Sequence, residues 1–295
     1  MTEDQPILGY IGVGLMGAPM AKRLVEAGYT VNIWGRSPAK LDPLLAIGAQ
    51  KAETAAHVTR DADIVFTCLS DTAAVETVVF GPDGISAGAG PGKILVDMSS
   101  MRPDAARDFS ARLREETAMG WIDAPVSGGV VGSETGALTV MAGGSEADFK
   151  RVEPVVAHLA RRFTLMGPNG AGQATKLINQ VLVGTVVAVL SEAASLATRA
   201  GIDAERIPEA LAGGRADSLP LQQFFPKMVK GDFFVESHIR TMVKDLDTVQ
   251  TLARETNTAM PMTALANELH RLMVQRGHAD EDGAALARLY RDEPV

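Results

Sequence analysis

The chain has 295 residues, 46% of them hydrophobic and 22% charged, and carries a formal net charge of −8. That length allows one large domain or two ordinary ones, each with a substantial core, and the acidic balance argues against nucleic acid or an anionic membrane as partner. The single cysteine, Cys68, rules out an internal disulfide and reads as a small core hydrophobe in an apolar run.

The first half alternates between strand-like and helix-like segments. Ile7–Ile11 is a short apolar strand, Leu15–Ala27 an amphipathic helix closed by Gly28, and Thr30–Trp34 a second strand. Helices over Pro38–Ala46 and Thr72–Val79 and strands over Ile64–Leu69 and Ile94–Asp97 continue the pattern. A helix over Pro103–Glu116, with Pro at its first position, leads to a strand over Trp121–Asp123. Such alternation predicts a mostly parallel sheet covered on both faces, a doubly wound α/β domain. Strand-like runs at Leu138–Ala142 and Arg162–Leu165, around a helix near Glu146–His158, extend the sheet.

After Gly167 no strand pattern remains. The segments read as helices: a long one from Gly170 to Gly201, then Asp203–Leu211, Leu221–Lys230, Ser237–Glu255, Pro261–Arg276 and Asp282–Arg291. The expected organisation is an α/β domain over residues 1–166 and an all-helical C-terminal domain over 167–295. The opening residues have no basic segment followed by an apolar run, so no secretory leader is expected. The most apolar window, Val181–Leu190, is short for a bilayer and is stopped by Glu192. A cytoplasmic protein is the expectation.

Between the first strand and first helix lies Gly12-Val13-Gly14-Leu15-Met16-Gly17. Gly12 permits a tight turn, Gly14 lets backbone N–H groups approach a pyrophosphate, and Gly17 lets the helix pack close on the strand. The strand before it, the helix after it and the second strand on time make this a Rossmann-like dinucleotide loop rather than a stray glycine pattern. At the end of the second strand, where NAD sites usually carry a carboxylate, stand Arg36 and Ser37. A guanidinium and a hydroxyl suit a 2′-phosphate, so NADP(H) is the expected cofactor with NAD(H) as the alternative. A merely solvated Arg36 in a turn is the competing reading.

The long helix is apolar on nearly every face through its middle, which places it in a core. Yet Lys176 sits in its first turns, with Asn179 and Gln180 three and four residues on along the same face. Desolvation and the positive end of the helix dipole both disfavour a charged amine there; a lysine snorkelling to water is the alternative. Ser127-Gly128-Gly129 follows a strand at the C-terminal edge of the sheet. Small residues there expose N–H groups beside a hydroxyl and suit a carboxylate, or make an ordinary glycine turn.

Taken together, four motifs resemble the β-hydroxyacid dehydrogenases. This is the family of 3-hydroxyisobutyrate dehydrogenase and 2-hydroxy-3-oxopropionate (tartronate semialdehyde) reductase, more distantly related to 6-phosphogluconate dehydrogenase. The motifs are Gly12–Gly17 with Ala18-Pro19-Met20, Asp123-Ala124-Pro125-Val126-Ser127-Gly128-Gly129, Gly172 through Lys176 to Asn179, and Lys244-Asp245-Leu246. The resemblance covers essentially the whole chain. It implies that Lys176 is the catalytic lysine, that Ser127, Gly128 and Gly129 hold the substrate's carboxylate, and that Asn179 contacts the substrate. It also implies that Lys244 reaches the cofactor from the second domain while Asp245 serves structure. Ser99-Ser100 match a pair beside the nicotinamide, and Leu69-Ser70 a loop over the adenosine side. Gln180 stands where many members have a second Asn.

The implied activity is reversible hydride transfer between NADP(H) and a small 3-hydroxy acid or semialdehyde, with tartronate semialdehyde first. Methylmalonate semialdehyde (the 3-hydroxyisobutyrate couple) and succinic semialdehyde (the 4-hydroxybutyrate couple) follow. An imine reductase on the same scaffold is argued against by Lys176, where those relatives carry an acid or tyrosine. A non-catalytic nucleotide-binding module would have no need to keep that lysine. His57, His158, His238, His270 and His278 show no ligand spacing, so no metal is expected and they read as surface or interdomain residues. The aromatics Phe224, Phe225, Phe233 and Phe234 read as core rather than pocket. A homodimer or homotetramer is expected.

Overall fold

The computed structural model describes residues 5–235 and 238–291, so Ser237, the first residue of one expected helix, lies outside the described residues. The chain divides into two units, one ending at Lys176 and the other beginning at Leu177. The first opens with β1 (Leu8–Ile11), α1 (Gly17–Glu26), β2 (Val31–Trp34), α2 (Asp42–Leu45), β3 (Gln50–Lys51), α3 (Ala55–Asp61) and β4 (Ile64–Thr67). It continues with α4 (Thr72–Phe80), β5 (Ile94–Asp97), α5 (Pro103–Thr117), β6 (Gly120–Asp123), β7 (Val126–Ser127) and α6 (Gly129–Thr135). β8 (Leu138–Gly143), α7 (Glu146–Val156) and β9 (Ala160–Gly167) complete its sheet and covering helices.

The strand order is β3-β2-β1-β4-β5-β6-β8-β7, with β9 pairing β8. β3 through β6 run parallel; β8 is antiparallel to β6 and β7, and β9 parallel to β8. Every residue of β1, β4, β5 and β6 is buried, as expected of strands covered on both faces. Alternation sorts them: Leu8, Tyr10, Phe66, Val96 and Ile122 enter one core, and Ile11, Val65, Leu95 and Trp121 the other. The direction of winding reverses between β1 and β4. The loops after these two strands therefore open at the switch point where doubly wound folds bind ligands.

Several first-unit elements differ from the sequence pattern, the two-residue strands β3 and β7 among them. The expected helix Pro38–Ala46 is a 3-10 turn, Pro38–Lys40, followed by the short α2, because Pro43 can sit in a first turn but not in a helix interior. α3 was hidden by alanines with no strong apolar period; Thr54 caps it, its hydroxyl accepting the His57 N–H at 3.0 Å. α6 begins on a glycine and gives no helical signal.

The second unit is helical, with one isolated bridge, His238 to Asp282, among its described residues. α8 (Ala171–Arg199) starts in the first unit and runs into the second. α9 (Ile207–Leu211), α10 (Leu219–Lys230), α11 (Ile239–Glu255) and α12 (Pro261–Gln275) follow, and the segment expected as a last helix is 3-10 over Gly283–Tyr290. Val187, Leu190, Phe225, Ile239, Met273 and Leu286 form the main core. Gly184 lets α8 approach α11: a Cβ there would stand 3.1 Å from Met242 Sδ and 3.2 Å from Leu246.

α8 spans 29 residues with a window of mean hydropathy 1.8, long and apolar enough by those measures to cross a bilayer, which the shorter window Val181–Leu190 did not suggest. Its buried face packs into a protein core. Phe225 is buried and Phe224 and Phe233 flank the core, whereas Phe234 is 75% exposed and departs from the expected core role. His270 is also a correction. Rather than lying at a surface, it is buried in α12, its Nδ1–H donating to Ala266 C=O at 2.8 Å, and burial lowers its pKa.

Candidate functional site

The Gly12–Gly17 loop follows β1 at the switch point. Gly12 has φ +101°, and a Cβ on it would lie 2.3 Å from Cys68 C=O in the loop after β4. A Cβ on Gly17 would lie 2.0 Å from Gly12 C=O, so the start of α1 closes directly onto the turn. At Gly14 an added Cβ would meet no protein atom within 4 Å. The first and third glycines thus satisfy the protein's own packing. The second leaves backbone open on one side, the arrangement a pyrophosphate needs. Val13 is buried and Leu15 exposed, and Met16 precedes the first turn of α1. Arg36 and Ser37 lie exposed just beyond β2, with no carboxylate at the strand's end. Leu69 is partly buried and Ser70 exposed, its hydroxyl donating to Asp71 at 2.7 Å.

The loops after β4, β5 and β6 are tied together by buried polar groups. Asp97 ends β5 and accepts from Thr67 Oγ1 at 2.8 Å and Ser99 N at 3.1 Å through one oxygen. Its other oxygen has no hydrogen-bond partner among the described residues. Burial pushes its carboxyl up to about 6, against those donors. Ser99 is buried, and its hydroxyl accepts the Leu69 N–H at 2.8 Å, which gives it a structural task, while Ser100 beside it is half-buried.

Asp123 ends β6 and receives the start of α8. It accepts Gly170 N–H at 2.8 Å and Gln173 N–H at 3.0 Å, one on each oxygen. Burial pushes it up to about 7; the amides oppose the shift and Asp97 adds to it. Gly172 sits so close that a Cβ would come within 2.5 Å of the carbonyls of Asp123 and Met141. Gln173 is 1% exposed; its Nε2 donates to Ser99 C=O at 2.8 Å and its Oε1 accepts Met101 N–H at 3.1 Å. One helical turn further on, on the same face, Lys176 is 9% exposed. The residue is thus largely withdrawn from solvent near the helix start.

Ser127, Gly128 and Gly129 form a strand-to-helix turn. Ser127 lies within the edge strand β7 rather than directly after β6, and Gly128 and Gly129 have φ of +127° and +61°. α6 begins here, beside α1, whose Arg23 donates to Glu134 C=O at 3.0 Å. This brings the expected carboxylate turn to the same side of the sheet as the glycine loop.

In the second unit Asn179, Gln180, Asp245 and Lys244 form a chain. Asn179 Nδ2 donates to Gln180 Oε1 at 2.9 Å, and Gln180 Nε2 to Asp245 at 2.7 Å. Lys244 Nζ lies 3.3 Å from the other Asp245 oxygen. Asp245 is thus a buried hub, and Gln180 links it to Asn179, a task not visible from its place in the motif. Gln173, Asp97 and the bonding of Asp123 were likewise missed. The available signal was a glutamine three residues before Lys176, on the face that Lys176 and Gln180 continue.

The N-terminal part, residues 7–167, matches the family model described as the NAD-binding domain of 6-phosphogluconate dehydrogenase. Residues 170–290 match the one described as NAD-binding of NADP-dependent 3-hydroxyisobutyrate dehydrogenase. The chain is 39% identical over 281 residues to 2-hydroxy-3-oxopropionate reductase of Escherichia coli, covering 95% of this chain and 96% of that one. It is 31% identical over 290 residues to the NAD-dependent L-serine dehydrogenase of Pseudomonas aeruginosa, covering 96% and 97%. Among solved structures, 3-hydroxyisobutyrate dehydrogenase from Salmonella typhimurium superposes with a TM-score of 0.87 at 30% identity, covering 97% and 100%. Matched in both halves and along nearly its full length, the chain belongs to the β-hydroxyacid dehydrogenase family of NAD(P)-dependent oxidoreductases.

Proposed function

We propose that this protein is an NADP-preferring reductase of small semialdehydes that carry a carboxylate, reversibly forming the 3-hydroxy acid, with 2-hydroxy-3-oxopropionate as first substrate. The observation that carries the reading is Lys176. It is a lysine buried one turn past the point where α8 is bound to the strand ends of the dinucleotide-binding unit. A cofactor held by its pyrophosphate at the glycine loop would supply the hydride from its nicotinamide. Lys176 gives a proton to the carbonyl oxygen in reduction and takes it from the hydroxyl in oxidation. Ser127 with the N–H groups of Gly128 and Gly129 holds the carboxylate, and Asn179 contacts the substrate. On the cofactor, Gly12, Val13, Gly14, Leu15, Met16 and Gly17 cradle the pyrophosphate. Arg36 and Ser37 take the 2′-phosphate, Leu69 and Ser70 flank the adenosine, Ser100 lies by the nicotinamide, and Lys244 reaches the cofactor from the second domain.

Support for tartronate semialdehyde comes from the 39% identity to the reductase named for it; the 3-hydroxyisobutyrate and 4-hydroxybutyrate couples rank behind. A cytoplasmic homo-oligomer acting on small molecules, not on nucleic acid or membrane, completes the proposal. The test is a spectrophotometric panel of semialdehydes and hydroxy acids with NADPH and NADH, run on wild type and Lys176→Ala. The variant is expected to lose at least about a hundredfold in kcat with cofactor affinity unchanged. Near-normal turnover by Lys176→Ala would end the assignment, and higher kcat/KM with NADH would end the NADP preference.

A further inference from the structure

Gln173 belongs to none of the expected binding or catalytic positions, yet it is among the most fully buried polar side chains of the chain. Both ends of its amide are used. The donor meets Ser99 C=O and the acceptor meets Met101 N–H, on either side of Ser100. An amide turned over would face donor to donor and acceptor to acceptor, so its orientation is set. Its own backbone N–H is held by Asp123, itself fixed by Gly170 N–H, and the close approach of Gly172 leaves this turn of α8 no room to slide.

We propose that Gln173 is a positioning residue that sets the separation between the Ser99–Met101 loop and the turn of α8 carrying Lys176. The inference rests on the reading of Lys176 as the proton donor. Helix geometry makes the link: residues three apart share a face, so a shift of Gln173 carries the Lys176 Cα with it. The loop on the other end of the amide bears Ser100 and, through the Ser99 hydroxyl, holds Leu69 N–H of the neighbouring loop. One side chain therefore couples the turn bearing the amine to the loop after β5 and, through Ser99, to the loop after β4. A proton donor and a hydride donor must both be aligned on one carbonyl, and a misplacement of about 1 Å costs on the order of 100-fold.

The test compares wild type, Gln173→Leu, Gln173→Glu and Lys176→Ala as full chains. Leu keeps the volume and removes both hydrogen bonds; Glu keeps the acceptor for Met101 N–H and loses the donor to Ser99 C=O. NADPH fluorescence titration counts the cofactor-binding molecules and gives Kd, and kcat is expressed per binding molecule. Gln173→Leu is expected to lower that kcat about 30- to 100-fold, with NADPH Kd within about threefold of wild type and Gln173→Glu affected less than Leu. A purely structural role lowers Tm and the count of binding molecules while leaving kcat per molecule intact. That result, or a loss appearing only in Kd, overturns the inference. Should Gln173→Leu not fold, Gln173→Glu decides by the same criterion. If Lys176→Ala turns over normally, it is the reading of the chemistry that fails. If Lys176→Ala is inactive and both Gln173 variants are normal per molecule, only the positioning role fails.

Discussion

Asp123→Asn is expected to become less harmful as pH rises, because the wild-type carboxyl is held in a place that disfavours its charge. Burial carries it from 3.8 to about 7, against the opposing donors Gly170 N–H and Gln173 N–H, and Asp97 is carried from 3.8 to about 6. Between about pH 4 and pH 7 the folded chain therefore keeps protons that the unfolded chain has released, and stability falls as pH rises through that window. For Asp123 the full shift corresponds to roughly 4 kcal/mol at most, most of it from burial and a smaller part from the neighbouring Asp97 charge. His270 acts in the opposite direction. Burial lowers its pKa below 6.5, so its contribution is present above that value and lost as pH falls. The comparison must then be variant against wild type at each pH. Asparagine has no charge to lose and retains one carbonyl acceptor, so it carries a pH-independent cost of about 1–3 kcal/mol for the unsatisfied amide. Urea unfolding of both proteins at pH 5 and pH 8 should show the variant's deficit shrinking or changing sign at the higher pH. A deficit that grows toward pH 8 refutes the reasoning. It would mean that the two amides and the start of a 29-residue helix outweigh desolvation and hold the carboxylate ionised.

Two glycine variants separate packing from binding in the nucleotide loop. Gly14→Ala adds a methyl that touches no protein atom within 4 Å, so Tm should stay within a degree or two (about 0.5 kcal/mol,) while NADPH Kd rises at least about tenfold; Gly17→Ala, 2.0 Å from Gly12 C=O, should lower both Tm and affinity. Equal affinity for Gly14→Ala and wild type in a fluorescence titration would remove the pyrophosphate from this loop. Arg36→Ala should reduce the ratio of kcat/KM for NADPH over NADH by about 10- to 100-fold, the worth of a charge-assisted bond to phosphate; an unchanged ratio leaves Arg36 merely solvated. Ile178, Leu182, Val189 and Leu196 are exposed along one stripe of α8, so Leu182→Glu should shift the protein toward monomer in light scattering if a second copy covers that stripe. An unchanged mass assigns the stripe no role in assembly.

The parallel sheet was legible because its strands are covered on both faces, which leaves short apolar runs that cannot be mistaken for amphipathic helices. Ile94–Asp97 is found with the same bounds. The elements that escaped are those whose stability comes from elsewhere. β3, at the end of the strand order, has two exposed residues and is held by its ladder to β2, and α6 depends on the positive φ of Gly128 to begin. Neither has a local pattern, because tertiary contacts supply what local propensity lacks.

The site divides in the same way. The glycine loop could be read because each glycine answers a steric demand that leaves its mark on the sequence: a methyl at Gly12 or Gly17 collides with backbone, which cannot give way. Asp123 and Gln173 answer a demand between segments far apart in the chain. Their partners are backbone N–H and C=O groups that every residue possesses, at separations of 47 to 74 positions. A side chain that recognises main chain imposes no residue type on the positions it binds, so no pairing of letters betrays it. What remains visible is only a cost without an evident return, a carboxylate after an all-apolar strand and a glutamine opening an apolar helix. Burying such groups is unfavourable unless each finds a partner. In this chain the partners fasten the first turn of α8 to the strand ends, and Lys176 is on the next turn. The two polar residues on either side of that junction therefore fix the start of the helix, and on the proposed reading Lys176 is placed by them rather than by the apolar length of the helix behind it.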